Sequence, residues 1–129
     1  MQLKTFNEFI FESLQSNTTK LESAIDNKFV CIIDYRGLDK GSIENGIRYI
    51  EPYVLGTNRL GNTVLRAWMI KGVSKTGKVD PSLVPGWRLY RVDRIFSLQQ
   101  TLTAIKLPQK GYNIARDGKM SEIIASIKF

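Results

Sequence analysis

The stretch of sequence that decides the fold is Gly86-Trp87-Arg88-Leu89-Tyr90-Arg91-Val92-Asp93-Arg94-Ile95. It places three arginines and two aromatic residues in one short run that has the composition of a β-strand. A guanidinium offers a planar fork of donors that matches a phosphate or a carboxylate, and an aromatic face can stack on a nucleobase. The same pattern also fits an ordinary surface strand whose arginines are solvated or paired with Asp93.

Alternation along a strand divides this stretch between two faces, because successive side chains point to opposite sides. One face would carry Arg88, Tyr90, Val92 and Arg94, and the other Trp87, Leu89, Arg91 and Asp93. Trp87 and Leu89 predict that the second face is partly buried. On that face Asp93 can pair with Arg91 or with an arginine from another strand, which leaves Arg88 and Arg94 as the freer pair.

Strand patterns precede this stretch in regular succession. Runs rich in β-branched and aromatic residues cover 29–35, 47–55 and 63–71, and glycine-containing loops separate them. The run at 87–92 then continues into 95–98. Short, evenly spaced strands without alternating helices predict a mainly β domain, a small antiparallel barrel or sandwich, over residues 20–100.

Helical patterns flank the strands. An amphipathic pattern over 3–15 and another over 20–27 are separated by polar residues 16–19, which predicts an N-terminal helix pair. Residues 1–19 are therefore assigned to a helix and linker. After a loop at 108–113, an apolar stripe with helical spacing predicts a C-terminal helix within an extension over 101–129, with Asp117 as its cap. The stripe consists of Met120, Ile123, Ile124 and Ile127.

Composition limits the chemistry. The 129 residues carry a formal net charge of +7, which favours an anionic partner such as a nucleic acid or a nucleotide. The chain has no histidine and one cysteine, so neither a Ser-His-Asp triad nor a zinc site of the usual type can be built. We therefore expect a binding module and no enzyme, with no metal and no cofactor. A single cysteine favours a reducing cytoplasm, and no apolar run is long enough to span a bilayer.

The central region resembles a WYL domain over about residues 20–100. A short helical segment at 21–25 leads into a strand that ends in Tyr35, and an arginine is followed by Pro-Tyr-x-Leu in 48–55. The block Arg-x-aromatic-Arg-x-Asp-Arg-Ile matches 88–95 throughout. The Trp-Tyr-Leu signature of the family should lie in the third strand, where this chain has Thr63-Val64-Leu65.

The resemblance implies an Sm-like small β-barrel that senses or binds nucleic acid or nucleotide-like ligands. Such domains are usually attached to winged-helix regulators, CRISPR accessory proteins or helicases, and residues 1–28 are too short for a helix-turn-helix. We therefore expect a stand-alone regulatory module, located in the cytoplasm of a bacterial cell. Its predicted ligand is single-stranded DNA or RNA, or a nucleotide. The residues predicted to bind this ligand are Tyr35, Arg48, Arg88, Tyr90, Arg91 and Arg94.

The N-terminal segment at 4–12 resembles the capsid-targeting leader of internal head proteins in large myoviruses. Such leaders end in a Leu/Ile-x-Glu cleavage site, which makes Glu12 a predicted processing site. A plain N-terminal helix packed on the barrel explains the same residues. The alternative function is therefore a protein-interaction or self-assembling module. It could form a homo-oligomer, or act as a phage head protein packaged in the virion interior.

Overall fold

The computed structural model describes residues 5–37, 45–74, 76–113 and 118–129, with the side chains of 6–11 outside that description. The described elements are one α-helix and six β-strands, with a short 3-10 turn at Val92–Arg94. Their order along the chain is α1 (Phe6–Asn27), β1 (Phe29–Tyr35), β2 (Gly46–Thr57), β3 (Thr63–Val73), β4 (Gly86–Arg91), β5 (Ile95–Ala104) and β6 (Glu122–Ser126).

The strands form one antiparallel sheet in the order β4-β3-β2-β1-β5. The long strand β2 pairs with β1 through its first half and with β6 through its second half. The fold is therefore mainly β, as the sequence predicts. The predicted barrel closure is wrong, because β4 and β5 are the end strands of that order and do not pair with each other in the described chain.

The open sheet is nevertheless strongly curved. Adjacent strands lie about 4.8 Å apart, so a flat sheet would separate β1 from β4 by about 14 Å. Here the backbone N–H of Arg91, at the end of β4, donates to the hydroxyl of Tyr35, at the end of β1, at 3.0 Å. The centroids of the Tyr35 and Tyr90 rings lie 4.9 Å apart. The curvature therefore brings side chains of β1 and β4 together across one concave face.

The predicted helix pair is wrong, because α1 runs without a break from Phe6 to Asn27. The polar residues expected to interrupt this helix make hydrogen bonds that are compatible with a continuous helix. The side chain of Asn17 is buried and donates to the carbonyl of Ile95 at 3.0 Å. The hydroxyl of Thr18 donates to the Leu14 carbonyl one turn earlier, at 2.8 Å. Helix α1 consequently runs across the predicted boundary at residue 19.

The predicted C-terminal helix is also wrong, because residues Glu122–Ser126 form strand β6. Its backbone pairs with β2, in register Val54↔Ser126 and Leu55↔Ala125. Asp117, the expected cap, lies outside the described residues. Strand β5 extends to Ala104 and so crosses the predicted boundary at residue 100.

The core forms where α1, the sheet and the C-terminal segment meet. Leu21 and Ile25 of α1, Ile33 of β1 and Leu65 of β3 are fully buried in one cluster, which also includes Ile127. Cys31 lies in it too, with no exposed surface, and burial raises the pKa of its thiol to about 12. In the described part of the chain, no helix is long and apolar enough to cross a membrane.

The faces of β4 differ from the expectation. Tyr90 and Val92 are buried, whereas Leu89 is 38% exposed, so the face that carries Arg88 and Tyr90 turns toward the core. Trp87, on the opposite face, is half-buried. Trp68 lies opposite it on β3, with the ring centroids 5.5 Å apart in an edge-to-face contact. This correction matters because it directs Arg88 to the concave side of the sheet.

Candidate anion-binding cavity

A cavity of about 370 Å³ opens on the concave face. Four of the six side chains predicted to bind a ligand share its wall, and they come from three different strands. Hereafter this is the inner cavity, and its lining residues are Tyr35, Arg48, Met69, Ser82, Leu83, Val84, Arg88, Leu89 and Tyr90. Its described lining contains two arginines and no carboxylate.

Arg48 is a buried cation in this wall, with 5% of its surface exposed. Its guanidinium donates to the backbone carbonyls of Ile47, at 3.0 Å, and Asn45, at 3.1 Å. Two glycines leave room for it. A Cβ at Gly46, whose φ is +131°, would lie 2.9 Å from Nη1, and a Cβ at Gly72 would lie 3.2 Å from the same atom. The backbone of β2 and β3 therefore fixes the position of this charge.

Arg88 is fixed in the same manner on β4. Its Nη1 donates to the carbonyl of Trp87 at 2.9 Å, and its Nη2 donates to the carbonyl of Val84 at 2.7 Å. A guanidinium has five N–H donors, so these two bonds leave others for a ligand. Val84 precedes the strand, so Arg88 also ties the β3–β4 loop to the cavity wall.

Tyr35 and Tyr90 form the apolar side of the inner cavity. They are 3% and 6% exposed, and their rings pack edge to face against each other. The hydroxyl of Tyr35 accepts the hydrogen bond from the Arg91 backbone. Rings packed in this way present edges and hydroxyls rather than open faces. Their position favours a role in shaping the cavity over base stacking, which the sequence allowed equally.

Arg91 lies outside the inner cavity. Its Nε and Nη2 donate to the two carboxylate oxygens of Asp93, at 3.0 and 2.5 Å, and Nη2 also reaches Asn62 at 3.3 Å. The hydrogen bond to Asp93 is the main cause that raises the pKa of Arg91. The pairing that the sequence offered as an alternative is therefore confirmed. Arg91 is held by a carboxylate, whereas backbone carbonyls hold Arg88.

Arg94 is also absent from the inner-cavity lining. It lies in the 3-10 turn between β4 and β5, where its backbone carbonyl accepts the N–H of Arg36 at 2.9 Å. Its Nε is buried and has no hydrogen-bond partner among the described residues. The structure therefore brings four predicted binding residues together in the cavity wall, and the side chains of Arg91 and Arg94 lie outside it.

Glu12, the predicted processing site, is exposed on α1, two turns after the helix begins. Residues 1–4 and the side chains of 6–11, which carry most of the leader-like pattern, lie outside the described part. Processing at Glu12 stays a prediction.

A second, larger cavity, hereafter the outer cavity, lies on the other side of β4 and was not predicted from the sequence. It has a volume of about 800 Å³, and Trp87, Tyr112, Arg66 and Lys119 contribute to its wall. These residues are spread over more than fifty positions of the sequence, so no local motif indicates that they line one cavity. The signal that could have found it is the pair Trp87 and Tyr112, which the sequence analysis did not connect.

Comparison with known proteins gives a likeness of fold. No family model matches the chain, and no curated protein does. Among solved structures, the chain is similar to the proteasome accessory factor B/C (PafBC) of Arthrobacter aurescens, with a TM-score of 0.55 and 20% sequence identity. The match covers 77% of this chain and 13% of the PafBC chain. At this level of identity the likeness concerns the fold alone.

Proposed function

We propose that this protein is a ligand-binding regulatory module that holds a phosphate-bearing ligand, a nucleotide or a single-stranded nucleic acid, in the inner cavity. One observation carries the proposal: three different strands contribute Tyr35, Arg48, Arg88 and Tyr90 to the wall of the same concave cavity. Convergence of cationic side chains in a concave site is typical of an anion-binding pocket.

The two arginines suit this role because their positions are set before a ligand arrives. Carbonyl groups of Ile47 and Asn45 hold Arg48, and those of Trp87 and Val84 hold Arg88. A ligand therefore meets charges that lose little conformational freedom on binding. Backbone carbonyls also leave the positive charge of Arg88 available, whereas Asp93 neutralises that of Arg91.

The size of the inner cavity limits what enters it. A volume of about 370 Å³ is near the lower end of the range for small-ligand sites. It suits one phosphate-bearing unit, either a free nucleotide or a single position of a strand. A net charge of +7 adds long-range attraction for either form.

The likeness to PafBC supports the regulatory part of the proposal. The chain spans 13% of that protein, so the shared fold is one part of a larger molecule there. We propose that this chain is the ligand-sensing part of a larger regulatory system and that it carries out no catalysis itself.

The test is fluorescence anisotropy with labelled single-stranded DNA and RNA, competed by unlabelled mononucleotides, at two salt concentrations. We expect binding that weakens with salt. Arg88→Gln should weaken it about tenfold, since a hydrogen bond to a charged group contributes about 1.5–3 kcal/mol. Arg59→Gln is the matched control, because it removes the same charge from the exposed turn between β2 and β3. Equal losses in the two variants would reject the inner cavity as the site.

A second candidate function is self-assembly through β5. This strand pairs with β1 and is an end strand of the described sheet, and Phe96 and Leu102 on it are 73% and 90% exposed. An open edge of this kind can pair with another chain. Light scattering during gel filtration tests it: a dimer or ring that Leu102→Lys converts to a monomer would support assembly, and a monomeric wild-type protein would exclude it.

A further inference from the structure

Residues 80–84, in the loop between β3 and β4, form a turn in the wall of the inner cavity. We call this turn the lid. Ser82, Leu83 and Val84 contribute to the cavity wall. Ser82 and Val84 are exposed, as are the prolines on either side of these three residues, whereas Leu83 is half-buried. The lid therefore meets the sheet through the side chain of Leu83.

The local sequence favours this turn. The carboxylate of Asp80 accepts the backbone N–H of Ser82 at 2.9 Å and the hydroxyl of the same residue at 2.6 Å. The N–H of Leu83 donates to the carbonyl of Asp80 at 3.2 Å, which closes a four-residue turn with Pro81 at its second position. Aspartate at the first position and proline at the second are typical of β-turns. The lid is therefore a defined local structure.

Gly72 of β3 provides the place where Leu83 packs. A Cβ at Gly72 would overlap with Cδ1 of Leu83, so the leucine methyl group occupies the space that a larger residue would fill. The same Cβ would lie 3.2 Å from Nη1 of Arg48, so Leu83 and a buried guanidinium share the space over this glycine. The N–H of Asp80 donates to the carbonyl of Gly72 at 2.9 Å. The first part of the lid is thus attached to β3.

Arg88 attaches the other end of the lid. Its Nη2 donates to the carbonyl of Val84 at 2.7 Å, four residues earlier in the chain. Gly86 lies between them, and a Cβ there would be 3.0 Å from Nη1 of Arg88, so a glycine lets the guanidinium fold back along its own strand. One guanidinium therefore both lines the inner cavity and holds the lid.

A bound anion would compete with Val84 for this donor. A phosphate carries negative charge as well as lone pairs, so a guanidinium binds it more strongly than it binds a neutral carbonyl. Val84 is 64% exposed, so water can replace the lost donor at its carbonyl. Exchange of the carbonyl for the anion is therefore favourable, and it removes one of the contacts that hold the lid.

We propose that ligand binding opens the lid. The anion takes the Nη2 donor of Arg88, the carbonyl of Val84 loses its partner, and Leu83 leaves its place over Gly72. The proposal rests on the function proposed for the inner cavity, and it adds the conformational change by which an occupied cavity differs from an empty one. An open lid exposes the apolar side chain of Leu83 and so changes the protein surface beside the cavity.

The first test needs no ligand. Hydrogen exchange at the amides of Ser82 and Leu83 reports lid opening, because a detached four-residue turn does not protect them. Arg88→Gln should raise these exchange rates about tenfold, the effect expected when one hydrogen bond from a charged group is lost. Arg59→Gln removes the same charge from the exposed turn between β2 and β3 and should leave the rates unchanged. Equal rates in Arg88→Gln and the wild-type protein would overturn the proposal.

The second test measures the same two amides at saturating adenosine 5′-monophosphate and at saturating single-stranded DNA. We expect faster exchange at Ser82 and Leu83 in the complex. A ligand that only contacts its site slows exchange there, so acceleration distinguishes a released lid from simple contact. Slower or unchanged exchange, in a complex whose formation is established by anisotropy, would reject the lid and leave the function proposed for the inner cavity intact.

The third test uses Leu83→Ala, which removes the side chain that packs over Gly72 and weakens the closed lid. An opening cost lowers the apparent affinity, so this variant should bind single-stranded DNA about threefold more tightly than the wild-type protein. Leu60→Ala is the matched control, because Leu60 is exposed in the turn between β2 and β3, and it should not change the affinity. Unchanged or weaker binding by Leu83→Ala would contradict the lid. Failure of wild type and Leu83→Ala alike to bind either probe would reject the proposed function, and ligand-driven opening with it.

Discussion

The inner and outer cavities lie on either side of β4 and are built in different ways. In the inner cavity, strands of the curved sheet carry Arg48 and Arg88, and backbone carbonyls hold both guanidinium groups. In the outer cavity, the sheet supplies one wall with Trp87, and the segment after β5 supplies the other with Tyr112. The inner cavity therefore presents fixed charge, and the outer cavity presents rings whose spacing depends on how that segment docks.

This difference means that the two cavities should respond separately to mutation. A change that loosens the C-terminal segment should remove the outer cavity and spare the inner one. A change at the concave face should do the reverse. Four substitutions test this separation, and they are given in order of their expected effect.

Gly56→Ala should have the largest effect. Gly56 lies on β2 opposite β6, and a Cβ there would be 2.2 Å from the backbone oxygen of Glu122. A backbone atom cannot rotate away, so β6 must shift. We expect a loss of about 3 kcal/mol of unfolding free energy in urea. Salt-sensitive oligonucleotide binding should persist, because the inner cavity lies on the other side of β4.

The control for that variant is Gly61→Ala, because a Cβ at Gly61 would meet no atom within 4 Å. Gly61 has a φ of +82°, so some backbone strain is expected there without any shift of β6. If Gly56→Ala abolished oligonucleotide binding in a protein that remained folded, the two cavities would not be independent.

Arg48→Met should be next in size. It removes two hydrogen bonds from a buried guanidinium and leaves the carbonyls of Ile47 and Asn45 without those donors. Methionine fills part of the volume, so we expect destabilisation of about 2 kcal/mol. Oligonucleotide binding should fall. Unchanged oligonucleotide affinity in the folded variant would remove Arg48 from the proposed site.

Tyr35→Phe tests the curvature that joins β1 to β4. It deletes the hydroxyl that accepts the Arg91 backbone N–H and keeps the ring contact with Tyr90. We expect a cost of about 1 kcal/mol, typical of one lost hydrogen bond. Hydrogen exchange at the Arg91 amide should accelerate. If it stayed at the wild-type rate, this bond would not hold the two strands together.

Asp93→Asn should have the smallest effect. The Arg91–Asp93 pair joins side chains that are 33% and 34% exposed, so its loss should change stability by at most about 0.5 kcal/mol. Oligonucleotide affinity should stay the same or rise slightly, because the charge of Arg91 is no longer neutralised. A marked fall in affinity would show that the pair itself supports the inner cavity.

The strands were predictable from the sequence because their β-branched and aromatic runs are bounded by glycines. The bounds of β1 match the prediction, and β2 and β3 extend it by a few residues. The two failed helix predictions have a common cause in tertiary contacts. Asn17 has a polar partner on β5 that the sequence does not reveal, so a polar run looked like a break.

The apolar stripe near the C-terminus was also misassigned because a tertiary contact decides its structure. The spacing of Met120, Ile123, Ile124 and Ile127 fits one face of a helix, but in so short a segment a helix and a strand are hard to distinguish. The second half of β2 offers unpaired backbone there, and β6 pairs with it. A local pattern could not anticipate this long-range pairing.

The candidate site, like the fold, was only partly predictable from the sequence. The motifs grouped Tyr35, Arg48, Arg88 and Tyr90 as ligand-binding residues, and the curved sheet places these four side chains around one cavity. Whether they bind a ligand stays a prediction. The sequence could not show which face of β4 is buried, since both faces carry aromatic residues. Arg66 looked like ordinary surface charge because its neighbours in the outer cavity, Tyr112 and Lys119, come from a segment predicted to fold otherwise.

The single buried thiol of Cys31 can report local opening of the sheet. Its thiol is fully buried on β1, between β2 and β5, and its pKa is raised to about 12, so it is chemically inert in the native state. A thiol reagent can label it only when these strands separate. Because it is the single cysteine of the chain, the labelling rate with and without ligand would measure how tightly an occupied cavity locks the sheet.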